Sequence, residues 1–131
     1  MNSFLSASKF AVVGASASRD KFGNKVLRWY KDRKCDVVPI NPRESEIEGL
    51  AVVASLDALA STAGFDPSLF SVSVITPPSI TRSVLEAGVA KGFKRFWLQP
   101  GAEFPGWQTF GEEHSVLVIG GGPCVLRDAK L

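Results

Sequence analysis

The chain has 131 residues, 45% hydrophobic and 21% charged, with nine Phe and three Trp, a size and apolar content that suit one domain with a single core and exclude a disordered chain. Basic and acidic residues are interspersed with a formal net charge of +2, which excludes the basic stripe or arm that tracks a nucleic-acid backbone. The first residues, Met1 to Lys9, carry neither the charged start nor the long apolar core of a secretory signal, and no run approaches a membrane span, so a cytoplasmic location is expected.

Residues 9–14, KFAVVG, are a short apolar run and predict the first strand. Over residues 22–34, Val26, Leu27, Trp29 and Tyr30 recur at mostly helical spacing. DVVPI, residues 36–40, predicts the second strand, with Pro39 near its carboxyl end, where a missing N–H costs least; Asn41-Pro42 then turns the chain out. A short extended piece is expected around Ile47 to Val53, and a short helix over 55–61 with Ser55 as its cap. FSVSVI, residues 70–75, predicts a strand stopped by Thr76-Pro77-Pro78. A helix is expected from Ser79 to Lys91, with Ile80, Val84, Leu85 and Ala87 on its inner face and Gly92 ending it. KRFWL, residues 94–98, predicts a fourth strand closed by Gln99-Pro100-Gly101. A weaker amphipathic stretch over 103–113, broken at Pro105-Gly106, precedes the last strand, SVLVI at 115–119, which ends at Gly120-Gly121-Gly122-Pro123.

Strands that alternate with helices, each apolar on both faces, indicate a parallel sheet covered on two sides. The expected fold is α/β: a Rossmann-like, doubly wound, parallel five-stranded sheet in the order 3-2-1-4-5, forming one domain over residues 1–131.

In such sheets ligands bind outside the carboxyl ends of the strands. Standing at those ends are Gly14-Ala15-Ser16, Asn41-Pro42, Thr76-Pro77-Pro78, Gln99-Pro100-Gly101 and Gly120-Gly121-Gly122, all small, polar or conformationally special. Gly14 permits a tight exit that lets a phosphate approach backbone N–H groups, Ser16 adds a hydroxyl, and Arg19, Lys21 and Lys25 supply positive charge. The dinucleotide fingerprint G-x-G-x-x-G is not met, because Ser16 and Arg19 stand where its second and third glycines belong and Gly23 falls too late. Nor does the second strand end on the acidic residue that binds a ribose diol; it ends Ile40-Asn41-Pro42. These features suit an adenine nucleotide whose ribose carries phosphate, with Asn41 and the prolines walling the adenosine and Arg19, Lys21, Lys25 or Arg43 facing anionic oxygens.

The segments VVGAS, KFGNKVLRWY, VVPINP, EIEGL, VITPP, WLQPGAE and GGGPCV occur in this order over nearly the whole chain. The series resembles the small CoA-binding proteins of the CoA_binding_2 family, related to the nucleotide-binding domain of succinyl-CoA synthetase α. The resemblance implies a Rossmann-like fold and coenzyme A as ligand. It also implies ligand-facing positions at Gly14, Ala15, Ser16, Lys21, Phe22, Gly23, Asn24, Lys25, Pro39, Asn41, Pro42, Thr76, Pro77 and Pro78. The chain lacks the synthetases' second domain with its phosphorylated histidine, so a ligase reaction is not expected.

No acid/base pair or activated nucleophile is legible, so no catalytic residue is named. The single histidine, His114, precedes the last strand at the end of the sheet away from the ligand loops, which suits a surface or capping role. Glu103 is the carboxylate best placed near the pocket, and equally suits a helix start. Cys35 and Cys124 are far apart and match no metal-ligand spacing. Both are expected to be reduced, Cys124 as a small buried residue or as a thiol near the ligand. Trp97 and Phe96 suit core or pocket wall, while Trp29, Tyr30 and Trp107 suggest a partly exposed aromatic surface for a homo-oligomer or protein partner. The leading expectation is non-catalytic binding of coenzyme A or an acyl-CoA, as carrier, sensor or partner subunit. The alternatives are an NAD(P)-dependent oxidoreductase or other nucleotide-binding enzyme, and a ligand-free interaction domain.

Overall fold

A computed structural model describes residues 2–130. Its elements in chain order are α1 (Asn2–Leu5), β1 (Lys9–Val13), α2 (Phe22–Asp32), β2 (Asp36–Ile40), β3 (Glu46–Ile47), β4 (Leu50–Ala51), α3 (Leu56–Ala60), a 3₁₀ turn (Pro67–Leu69), β5 (Phe70–Val74), α4 (Pro78–Ala90), β6 (Arg95–Leu98), α5 (Trp107–His114), β7 (Leu117–Ile119) and α6 (Val125–Asp128). Five strands form one sheet in the order β2-β1-β5-β6-β7, every neighbouring pair parallel.

The Rossmann-like α/β class is as expected, but the strand order is not. Counted along the chain, the five strands run 2-1-3-4-5 rather than 3-2-1-4-5, so β2 is an edge strand and the winding reverses between β1 and β5. Pro39 supplies a physical reason: it has no N–H for a second neighbour, which suits its strand to an edge. β5 has every residue buried, as a central strand does. The free side of β2 carries an isolated parallel bridge from Ile40 to Val53.

The two faces of the sheet carry two cores. On one, Phe10 and Val12 of β1 and Trp97 of β6 pack with Val26, Leu27, Trp29 and Tyr30 of α2, and with Phe4 and Val125 from the two ends of the chain. On the other, Ala11, Val13, Val72, Val74, Phe96 and Leu98 lie under Leu56 and Leu59 of α3, Leu85 of α4 and Phe110 of α5. The alternation along β1 and β5 follows from the two-residue period of a strand.

The aromatic surface expected from Trp29, Tyr30 and Trp107 does not form. Tyr30 is fully buried, stacked on Phe10 at 4.7 Å, and its hydroxyl shares a 2.7 Å hydrogen bond with Ser73; burial pushes its pKa well above the ordinary tyrosine value. Trp29 is 5% exposed beneath the Arg33 guanidinium, 4.1 Å from its ring. Half-buried Trp107 sits across the sheet, against Gly120 and Gly121. Trp29 and Tyr30 fall three and four positions after Val26 and so share its inward stripe.

The β3–β4 hairpin sharpens the extended piece expected around Ile47 to Val53, and helices α1 and α6 add to the expected elements. The hairpin turns through Glu48 and Gly49, both at positive φ (51° and 77°), the geometry of a two-residue turn that matches strand twist. Segment 123–128 folds over the α2 face, held where Trp97 Nε1 donates to the Pro123 carbonyl at 3.0 Å and the Val125 amide donates to Gln99 Oε1 at 2.9 Å.

Candidate functional site

The chain leaves β1 at the switch point through Gly14, whose φ is +93° and whose added Cβ would lie 1.9 Å from the Ile75 carbonyl oxygen. Only glycine meets both conditions. A Cβ on Gly23 would in turn lie 2.0 Å from the Gly14 carbonyl oxygen, so the first turn of α2 rests directly on the exit of β1. In the dinucleotide fingerprint the third glycine permits this helix-to-strand approach five positions after the first. Here Gly23, which falls too late for that fingerprint, does the same job from nine positions on. The intervening loop is correspondingly longer.

Two asparagines hold that loop. Asn24 is fully buried; its Nδ2 donates to the Ser16 carbonyl at 2.8 Å and to Glu48 Oε2 at 3.1 Å, while its Oδ1 accepts from Arg28 Nε at 2.7 Å. Asn41 donates from Nδ2 to the Ala15 carbonyl at 2.9 Å, and its Oδ1 accepts from the backbone amides of Arg43 at 2.8 Å and Glu44 at 3.1 Å. The Ser16 hydroxyl accepts from the Ser18 amide at 3.1 Å. All three side chains therefore shape the loop.

Glu48, at the hairpin tip, pairs with Arg19 at 3.2 Å, and its own carbonyl accepts from the Lys31 ammonium. The Asn24 hydrogen bond, and then the neighbouring cations Arg19, Arg28 and Lys31, hold the Glu48 carboxyl below the usual carboxylate range. A depressed native pKa adds stability that is present above the unfolded carboxylate pKa and is lost as pH falls through the native one. Glu48→Gln is therefore expected to make the acid limb of the stability-against-pH curve shallower than wild type, read by urea unfolding at a series of acidic pH values. An unchanged limb would remove the hairpin latch.

The start of α2 is left open. Lys21 stands at its N-cap in extended conformation with no side-chain cap, and the first turn contains no acidic residue; Lys21 and Lys25 are exposed. Helix α4 likewise opens on Pro77 and Pro78 with no side-chain cap. By contrast, Ser55 caps α3 through a 3.0 Å bond from the Ala58 amide. Uncapped first-turn N–H groups beside lysines are an arrangement that an anion stabilises.

Next to this loop, on the α3/α4 side of the sheet, lies a cavity of about 530 Å³, within the range of about 300–1,000 Å³ common for small-molecule sites. Val13-Gly14 and Ile40 to Arg43 form its floor, with Ala54 to Asp57 at the start of α3, Thr76, and one face of α4 carrying Ile80, Ser83, Val84 and Ala87 around it. Gly14, Asn41, Pro42, Arg43 and Thr76 of the sequence-derived set line this cavity. Ala15, Ser16, Arg19, Lys21, Gly23, Asn24 and Lys25 belong to the adjoining loop and helix start. Pro39 is buried within β2, Phe22 packs against the α2-face core, and Pro77 and Pro78 begin α4.

The contributions of α3 and α4 were missed. Ile80, Val84 and Ala87 recur at helical spacing and read as core, yet Ile80 is 48% exposed and faces the cavity. A stripe period cannot distinguish a core from a cavity wall. Glu103 is engaged elsewhere: its two oxygens accept from the amides of Gly101 at 2.9 Å and Gly121 at 3.1 Å, tying the ends of β6 and β7 together. His114 Nδ1 lies 2.9 Å from the Phe110 carbonyl, with its ring stacked on Phe110 at 4.0 Å. Cys124 is 9% exposed; both cysteines are free thiols. Among the described residues no group of His, Cys, Asp and Glu is arranged to hold a metal, and no helix is long and apolar enough to cross a membrane.

Residues 8–128 match the CoA binding domain family, and the chain belongs to that family. Among solved structures, a conserved hypothetical protein from Pyrococcus furiosus is 31% identical, covering 92% of this chain and 98% of its own, with a TM-score of 0.79. A hypothetical protein from Pyrococcus horikoshii superposes with a TM-score of 0.81 at 23% identity, over 96% of this chain and 84% of its own. A Thermus thermophilus protein does so with a TM-score of 0.74 at 26% identity, over 90% and 85%. None of the curated proteins matches the chain.

Proposed function

We propose that this protein binds coenzyme A or an acyl-CoA and does not transform it, serving as a carrier, sensor or partner subunit. The observation that carries this reading is the largely apolar cavity opening beside Gly14, next to a helix start that has cations and no cap. A nucleoside fits the first and phosphates suit the second. In this arrangement the adenosine lies among Asn41, Pro42 and the α4 face, and the diphosphate over the loop from Gly14 to Lys25. The titratable side chains of the cavity lining are Arg43 and Asp57, and Glu103 and His114 are engaged elsewhere.

A thermal-shift titration of reduced protein against CoA, acetyl-CoA, NAD, NADPH and ATP tests the reading, because a ligand that binds only the native state raises the midpoint by mass action. A dose-dependent rise with CoA or acetyl-CoA is expected. A rise with a nicotinamide cofactor alone would replace the reading with an NAD(P)-dependent enzyme, and no rise with any ligand would favour an interaction domain. Lys21→Ala and Lys25→Ala are each expected to weaken CoA binding by about 1.5–3 kcal/mol, the usual loss of a charge-assisted contact. Unchanged Kd in both variants, measured by calorimetry, would move the phosphates away from the start of α2.

A further inference from the structure

Gln99, directly after β6 at the carboxyl end of the sheet, is fully buried. Its Oε1 accepts from the Val125 amide at 2.9 Å, and because an N–H can meet only the oxygen, that bond fixes which way the carboxamide faces. Among the described residues, its Nε2 is the buried side-chain nitrogen or oxygen without a partner. A dry, unpaired amide donor is costly and rare in a native interior. Two positions after Trp97, Gln99 projects to the same α2 face of the sheet, where Ala15, Ile75 and Val125 offer it no acceptor side chain. The chain from Gly120 to Asp128 is the strap that covers it. The strap turns through Gly121 and Gly122, at φ +82° and +129°, and a Cβ on Gly122 would meet no atom within 4 Å. It is tied to the sheet end by Trp97 Nε1 on the Pro123 carbonyl, by Glu103 on the Gly121 amide and by Gln99 itself, and its helix buries Val125 while leaving Leu126 38% exposed. A glycine hinge, a few ties and an unanswered donor thus lie together, with β5 alone between them and the Gly14 exit of β1.

We infer that the strap 120–128 opens when ligand binds and that Gln99 Nε2 then donates to an amide carbonyl of the pantetheine arm. This rests on the CoA reading above and deepens it: the nucleotide takes the cavity and the loop, and the arm runs across β5 to the end of β6. The closed strap leaves the carboxamide half satisfied, and the arm supplies the missing acceptor, which offsets the strap contacts given up. A ligand without the arm gains nothing from opening and so does not drive it.

Calorimetric titration of CoA and of adenosine 3′,5′-bisphosphate, which has no arm, into wild type and Gln99→Met tests the contact. Wild type is expected to bind CoA at least about tenfold more tightly than the bisphosphate. Gln99→Met should lose about tenfold in CoA affinity while keeping its affinity for the bisphosphate, which also shows that the variant folds. Freeing the Val125 amide loosens the strap and by itself favours opening, so a weaker CoA complex reports the lost donor. Opening is read from the rate at which iodoacetamide alkylates Cys124, a buried free thiol of the strap, in a Cys35→Ser background. Saturating acetyl-CoA, which has no thiol to consume the reagent, should speed alkylation several-fold, and the bisphosphate should not. This readout stands even if Gln99→Met does not fold. Equal wild-type affinity for CoA and the bisphosphate, unchanged CoA affinity in Gln99→Met, or alkylation that acetyl-CoA leaves unchanged would overturn the inference and leave CoA binding standing. Failure of wild type to bind either ligand would overturn the CoA reading itself.

Discussion

Gly23→Ala is expected to destabilise the protein by about 3 kcal/mol or more, at the upper end of what overpacking costs, and to lower the unfolding midpoint by about 10 °C. Alanine in place of glycine in a helix ordinarily stabilises by about 1 kcal/mol. Here the sign reverses, because the new Cβ would stand 2.0 Å from the Gly14 carbonyl oxygen and 3.3 Å from the Ala15 Cα. Those are backbone atoms with no rotamer to move. Relief requires α2 to lift from the exit of β1, and Gly14 cannot yield because it is itself against the Ile75 backbone. Lifting α2 also displaces the loop assigned to the phosphates, so CoA affinity should fall in the fraction that still folds. Thermal and urea unfolding measure the first effect and calorimetry the second. A variant as stable as wild type would mean that α2 does not rest on the strand as described.

Asn24→Ala is expected to cost about 2–4 kcal/mol, because it removes a fully buried side chain whose three hydrogen bonds have charged or backbone partners. The Ser16 carbonyl, the Glu48 carboxylate and the Arg28 guanidinium each lose a partner at once. Asn24→Asp is nearly isosteric and separates shape from hydrogen bonding. At neutral pH it turns two donors into acceptors facing a carbonyl and a carboxylate, so it should be at least as damaging as alanine and partly relieved as pH falls toward the carboxylate range. Urea unfolding of both variants at neutral and mildly acidic pH provides the comparison. If Asn24→Asp matched wild type at neutral pH, Asn24 could not be the anchor of the loop and hairpin.

The cavity-lining residues illustrate how far local pattern reaches. Gly14, Asn41, Pro42 and Thr76 were legible because each stands at the carboxyl end of an apolar run, and the general behaviour of parallel sheets places such ends around the ligand. Ser55 to Asp57 and the α4 face were not, because they belong to helices whose relation to the site depends on the crossovers. Asn24 appeared on sequence as a ligand-facing position. Its partners Ser16 and Glu48 lie 8 and 24 positions away, and that contact set exists only after the hairpin folds back onto α2.

By itself the sequence determined the alternation of strands and helices, the Rossmann-like class, the glycine exit of the first strand and the series of motifs that carries the family resemblance. All of these depend on residue periodicity and on backbone needs within a few positions. Pro39 even held the information that its strand suits an edge. Tertiary structure decided the strand order, the inward turn of Trp29 and Tyr30, the placing of Glu103 and His114 away from the cavity, and the walls that α3 and α4 give it. The reason is one of range: period and propensity act along the chain, whereas a cavity is defined by which distant segments the crossovers bring together.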